Sequence, residues 1–164
     1  GATGATGASA LVGFNGSFSF VVNTAHTLGL YNASRPGLPV PGASIYFRAP
    51  RSGTLSNLRF SIVTTDTSDY NPTFNVTAQV YVAPSTGDAA VNTVPAPTFA
   101  STALSANVDT ITGLIPANSF FANSNTATSI AVNAGDYIAM VIRLSSVVAS
   151  GSGDCVVSAG FVYS

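Results

Sequence analysis

The sequence predicts an all-β protein, a jelly-roll β-sandwich, on three observations. Apolar residues recur at period two in several runs, the mark of a strand with one buried and one wet face. Turn residues punctuate those runs, and no stretch sustains the apolar period of a helix. The content is also sufficient for a core: of 164 residues, 46% are apolar, with 10 Phe and 6 Tyr among them. A chain of this length buries about 70% of its unfolded surface.

The elements follow in order. Phe18, Phe20 and Val22 alternate with Ser17, Ser19 and Val21, and residues 45–48 form a shorter candidate. Leu58, Phe60 and Ile62 alternate with Asn57, Arg59 and Ser61. The cleanest run sets Phe74, Val76, Ala78, Val80 and Val82 against Asn75, Thr77, Gln79 and Tyr81. Residues 110–114 are a weaker strand, and 129–132, 137–144 and 155–163 complete about eight. Between them lie Arg35-Pro36-Gly37, Pro41-Gly42, Asn71-Pro72, Ser85-Thr86-Gly87-Asp88 and Ala134-Gly135-Asp136, each a turn signal. The Ser/Thr/Asn/Ala-rich segment 118–129 lacks the Leu, Glu or Lys that would sustain a helix.

Residues 1–9 are set apart from the domain 10–164. Gly1-Ala2-Thr3, Gly4-Ala5-Thr6 and Gly7-Ala8-Ser9 put Gly at every third position until Ala10 breaks the register. Only Gly fits at the axis of a collagen triple helix, so this spacing reads as a collagen-like stub; a flexible Gly/Ala/Thr linker is the alternative. The chain begins inside the repeat, as a fragment of a longer chain would. Without Pro the triplets hold three chains together weakly, so the downstream domain is expected to do so.

Charge excludes several partners. Five Arg and six Asp are the whole charged set, 7% of the chain, with neither Lys nor Glu. A formal net charge of -1 offers no footprint for nucleic acid or anionic lipid. No apolar run approaches the roughly 18 residues that insert as a membrane helix. Wetting falls instead to 21 Ser, 18 Thr and 12 Asn, a surface suited to an extracellular or particle-surface protein. With only six Asp to protonate, stability is expected to change little with pH.

The stub running into an all-β head, together with Ser129-Ile130-Ala131-Val132-Asn133-Ala134-Gly135-Asp136-Tyr137-Ile138 near the end, resembles a known group. It is similar to the C-terminal heads of bacterial collagen-like proteins, as in the nap of the spore exosporium, and to complement-head and tumour-necrosis-factor-like jelly rolls. The resemblance implies a homotrimer, a final strand over 156–163, and O-linked sugar on Thr3 and Thr6. Residues 24–44 match no part of that pattern.

Candidate chemistry is sparse. His26 is the single His, no Gly-x-Ser-x-Gly surrounds any Ser, and a surface or interface histidine is the expected reading. Cys155, in an apolar strand, reads as a buried inert thiol. An enzyme is therefore not expected, and neither is a cofactor. Asp66, Asp69 and Asn71 gather oxygens in one loop as Ca²⁺ prefers, although such residues also satisfy their own backbone in turns. Arg48 and Arg51 flank Ala49-Pro50 and are expected to meet Asp109, Asp136, Asp154 or the terminus at Ser164 of a neighbouring subunit. The functions left are a trimerising, structural head on a spore or cell-surface filament, a tip that binds a host protein or glycan, and the tip of a bacteriophage tail fibre.

Overall fold

The computed structural model describes residues 9–21, 24–30, 34–39, 46–88, 96–146 and 152–164. Most of the Gly-rich stub, with Thr3 and Thr6, lies outside the described residues. Among those described there is no helix, and the strands are β1 (Ala10–Val21), β2 (Thr24–Leu28), β3 (Ser34–Pro36), β4 (Phe47–Arg48) and β5 (Gly53–Thr64), followed by β6 (Ser68–Ala83), β7 (Ala100–Ile115), β8 (Phe120–Val132), β9 (Tyr137–Ser146) and β10 (Ser152–Tyr163). They form two antiparallel sheets, one in the order β1-β10-β5-β8 and one in the order β3-β2-β9-β6-β7, with β4 also paired to β9. The all-β expectation holds.

The long pairs are nested. β1 pairs with β10 from Ala10↔Tyr163 to Val21↔Ser152, β2 with β9, β5 with β8, and β6 with β7. The first strand therefore neighbours the last, and each pair encloses the next along the chain. β9 lies at the centre of the larger sheet. β6 covers one of its edges from Phe74↔Ser146 to Ala83↔Tyr137. β2 covers residues 140–144 of the other edge and β4 covers 137–138.

Period two holds where it was clearest. Leu58, Phe60 and Ile62 are 0%, 2% and 3% exposed, and Val76, Ala78 and Val80 are 2%, 0% and 0%. Leu55 is buried as well, although it falls out of step with Leu58. A bulge between Ser56 and Leu58 restores the phase, with Asn57 at φ 52°, a region that Asn tolerates better than most residues. The inner faces of both sheets meet in one apolar cluster that includes Phe14, Leu28, Leu104, Met140, Val157 and Phe161.

Two strands extend well beyond the sequence reading. β7 runs through 100–115 where only 110–114 was expected, and β8 occupies most of the unassigned segment 118–129. Both are edge strands. Almost all of β8 is exposed or only partly buried, so its composition shows little apolar alternation, whereas β7 turns Leu104 and Ala106 into the core at 0% and 5% exposed, an alternation too short to mark the whole strand. Side chains close this rim: Asn125 Nδ2 donates to the Ser105 carbonyl at 2.8 Å, and Asn123 Nδ2 donates to that of Asn107. Asn118 turns the chain between the two strands at φ 64°, and Thr64 Oγ1 holds that turn by donating to Pro116 O at 2.8 Å and accepting from Ser119 N–H at 2.9 Å. At the opposite rim a backbone bond, Asn15 N–H to Gly29 O at 2.8 Å, joins the two sheets.

Gly13 and Gly160 face each other across β1 and β10, yet their tolerances differ. A Cβ on Gly160 falls 2.7 Å from the Val12 carbonyl, whereas one on Gly13 meets nothing within 4 Å. Gly160→Ala should cost about 1–3 kcal/mol through forced backbone movement. Gly13→Ala should stay within about 0.5 kcal/mol of the parent. Paired urea unfolding curves check both, and equal costs would contradict this packing.

Candidate functional site

At the end of the sandwich that holds Ala10 and Ser164, the Ala134-Gly135-Asp136 turn joins three segments. Gly135 adopts φ +88°, and a Cβ there would approach Ser85 at 3.3 Å. The buried Asp136 carboxylate accepts from the Asn133 N–H at 2.8 Å and from the Ser85 N–H at 3.2 Å. The backbone of the turn exchanges two bonds with Ala49: Ala49 N–H to Asp136 O at 2.8 Å and Gly135 N–H to Ala49 O at 2.7 Å. The Asp136 carboxylate thus organises the turn within its own chain.

Arg48 lies on this junction. Its Nε donates to Gly135 O at 3.1 Å, its guanidinium pairs with Asp88, and its Cζ lies 5.2 Å from the Tyr137 ring centroid. The hydrogen bond to Asp88 is the main cause that raises its pKa above the usual value. Arg51 lies 5.1 Å over the ring of Tyr163, whose hydroxyl donates to the Arg51 carbonyl. Both arginines therefore have partners within their own chain. Of the other acids expected to receive them, Asp154 accepts from Ser19 Oγ, and the side chain of Asp109 lies outside the described residues.

The expected calcium residues sit at the opposite end, and not in one loop. Asp66 is in the bend after β5, where its Oδ1 accepts the Asp154 N–H at 2.8 Å, while Asp69 and Asn71 are on β6. The side chains of Asp69 and Asn71 lie outside the described residues. Among the described residues, no three His, Cys, Asp or Glu side chains converge.

His26 is a correction. It is 7% exposed, not a surface residue, because β2 packs directly beside β9 and turns His26 inward with Ile142. Its ring stacks on Phe18 of the other sheet at 4.1 Å and 13°. Cys155 is buried as expected, with Sγ 3.5 Å from Phe18 O, and its pKa is pushed up to about 12 by burial first and by Asp154 and Asp66 next.

A feature missed from sequence lies on the outer face of the four-stranded sheet. Val156 pairs with Val63, and Val63 with Phe120, so these three side chains form one row across β10, β5 and β8. They are 38%, 36% and 64% exposed, and Leu11, on the same face of β1, is 87% exposed. Between them the face carries Gly13, Ser61, Ser158 and Gly160, with Arg59 among them. Two troughs of about 530 and 390 Å³ meet beside Arg59 over this small-residue floor. The signal in the sequence was an apolar residue out of phase with its strand: Val63 beside Ile62, and Val156 beside Val157. No protein-family model matches the chain, and no curated protein matches it.

Two pH effects follow. Burial lowers the pKa of His26 below 6.5, so the folded state disfavours the charged ring. Its contribution is intact above pH 6.5 and is lost as pH falls below it, a titration absent from an account based on Asp alone. The thermal midpoint should fall from pH 7 to about pH 5 in the parent, and fall less in His26→Leu. The Cys155 pKa is raised from 9.0 to about 12, so its contribution is present below pH 9.0 and is lost as pH rises towards 12. The native thiol should resist Ellman's reagent at pH 8 and react on unfolding; prompt native labelling would contradict the burial.

Proposed function

We propose that this chain is the trimerising head of a collagen-like filament on a bacterial spore or cell surface, and that its fold is a jelly roll. The strand order supports the fold reading. With the short β3 and β4 set aside, the nested pairs β1–β10, β2–β9, β5–β8 and β6–β7 follow the double-ribbon winding of an eight-stranded jelly roll. Ala10 pairs with Tyr163 at one end of the sandwich, so a stalk of triplets would attach there and leave the other end outermost.

The row Val156–Val63–Phe120 carries the assembly reading. Apolar side chains aligned over three strands, in a chain rich in Ser, Thr and Asn, would be stabilised by burial against another copy. Four strands spaced about 4.8 Å, each about 12 residues long at about 3.4 Å per residue, present roughly 800 Å². That is the area about one partner contributes to a stable interface. Because Arg48 pairs with Asp88 in its own chain, the assembly contact rests on this face more than on Arg48 and Arg51.

Sedimentation velocity over a dilution series tests this. The parent should sediment as three 16.5 kDa chains at micromolar concentration. Val63→Asp with Phe120→Asp should shift it to monomer, since each like charge brought into the contact is desolvated without a partner. Arg48→Ala with Arg51→Ala should weaken it less. A parent that is monomeric, or a doubly acidic variant that stays trimeric, would overturn the reading.

A further inference from the structure

Five arginines hold all the formal positive side-chain charge apart from His26. Arg48 pairs with Asp88, Arg51 lies on Tyr163, and the side chain of Arg35 lies outside the described residues. Arg59 belongs to the face assigned above to assembly. Arg143 remains: it is exposed on β9, on the outer face of the six-stranded sheet, and has no acidic partner among the described residues.

The ladder gathers a specific set around it. Arg143 is registered with Thr77, Val141 with Gln79, and Ala139 with Tyr81, all facing outward. Thr77, Gln79, Tyr81, Val141 and Arg143 line one depression of about 150 Å³. Val141, 2% exposed, forms an apolar floor. Gln79 Nε2 is held by Thr102 O at 2.9 Å, which fixes the amide and leaves Oε1 as an acceptor. Thr102 Oγ1 in turn donates to Val80 O at 2.8 Å, so the support is itself braced. Tyr81 and Arg143 stand two cross-strand rows apart, about 14 Å along the strands. Both residues line the same depression, whose volume of about 150 Å³ suits a small ring carrying one acidic group.

We propose that this depression binds an acidic saccharide, a uronate or sialate residue. The guanidinium fork of Arg143 takes the carboxylate in two parallel charge-assisted bonds. Gln79 Oε1 accepts from a ring hydroxyl, and Thr77 Oγ1 donates or accepts beside it. The Tyr81 ring packs on the C–H face of the sugar at small entropic cost. A single guanidinium matches a singly charged carboxylate better than a doubly charged phosphate. All five residues stand on paired strands, which hold the geometry before a ligand arrives.

Isothermal titration of the full chain with sialyllactose, trigalacturonate and lactose, with sodium acetate as a simple anion, tests the site. At least one acidic sugar should bind with Kd below about 1 mM, and lactose and acetate at least tenfold more weakly, about 1.4 kcal/mol per site. Preference between the two acidic sugars distinguishes an animal-cell glycan from an acidic polysaccharide. Arg143→Gln should lose about tenfold or more in affinity for the acidic sugar, and Arg143→Lys should recover part of it. Tyr81→Leu should weaken the sugar and leave acetate unchanged. No heat with either acidic sugar to about 10 mM, acetate binding as well as the sugars, or parental affinity in a folded Arg143→Gln chain would each overturn the proposal. Sedimentation of the same samples separates the two readings: binding by a monomer sinks the assembly reading alone, and a trimer that binds no acidic sugar sinks this site alone.

Discussion

Ile138, Ala139, Met140, Val141 and Ile142 are each 2% exposed or less, so five consecutive residues of β9 are buried on both faces. A segment sealed in this way cannot use water for its backbone N–H and C=O groups, and every unmade bond there carries a full desolvation cost. The rest of the fold supplies those partners. β6 runs the length of one edge, and the other is divided between β2 and the two-residue β4. β4 pairs with residues 137 and 138, just ahead of the stretch 140–144 that β2 covers. Arg48, which ends β4, is thereby placed over Tyr137 and against the Gly135 turn.

A chain with so few charges has to manage its borders by other chemistry. Both rims of the sandwich are closed by amides or backbone rather than by ion pairs: Asn123 and Asn125 on one side, and the Asn15–Gly29 bond on the other. The one ion pair among the described residues, Arg48 with Asp88, is largely exposed, and its guanidinium also carries a carbonyl bond and a ring contact. Uncommitted chemistry is therefore concentrated on the two outer faces. The face of the four-stranded sheet carries an apolar row and small residues. That of the six-stranded sheet carries hydroxyl, amide, phenol and guanidinium groups around Val141. The first face is thus the more apolar of the two, and the second the richer in hydrogen-bonding groups.

Legibility in the sequence followed position in the sheets. The alternation on β5 and β6 was readable because each has neighbours on both sides and one face against the core. β8 was hidden because its residues from Phe120 to Ala131 are exposed or only partly buried, so no selection for an apolar period is written into them. His26 was misplaced for a related reason: an isolated histidine carries no signal of which strand will lie across it, and Phe18 of the other sheet supplies the contact. The oxygen-bearing set Asp66, Asp69 and Asn71 was read as one loop because Asn71-Pro72 looks like a turn, whereas the backbone stays in β6 from Ser68 through that point.

What the sequence by itself determined is the class of structure and the kind of surface: strands from period two, turns at Gly135 and Asp136, and hydration by hydroxyls and amides where charge is absent. These are local properties, set by residue type and by neighbours one or two positions away. The partners of Arg48, the burial of His26, the row from Val156 to Phe120 and the grouping of Tyr81 with Arg143 were decided only by tertiary structure. Each joins residues that lie far apart in the chain, and the register of pairing that aligns them depends on bulges such as that at Asn57. A shift of one residue reverses the face of every side chain beyond it, so no local pattern could have specified which groups would meet.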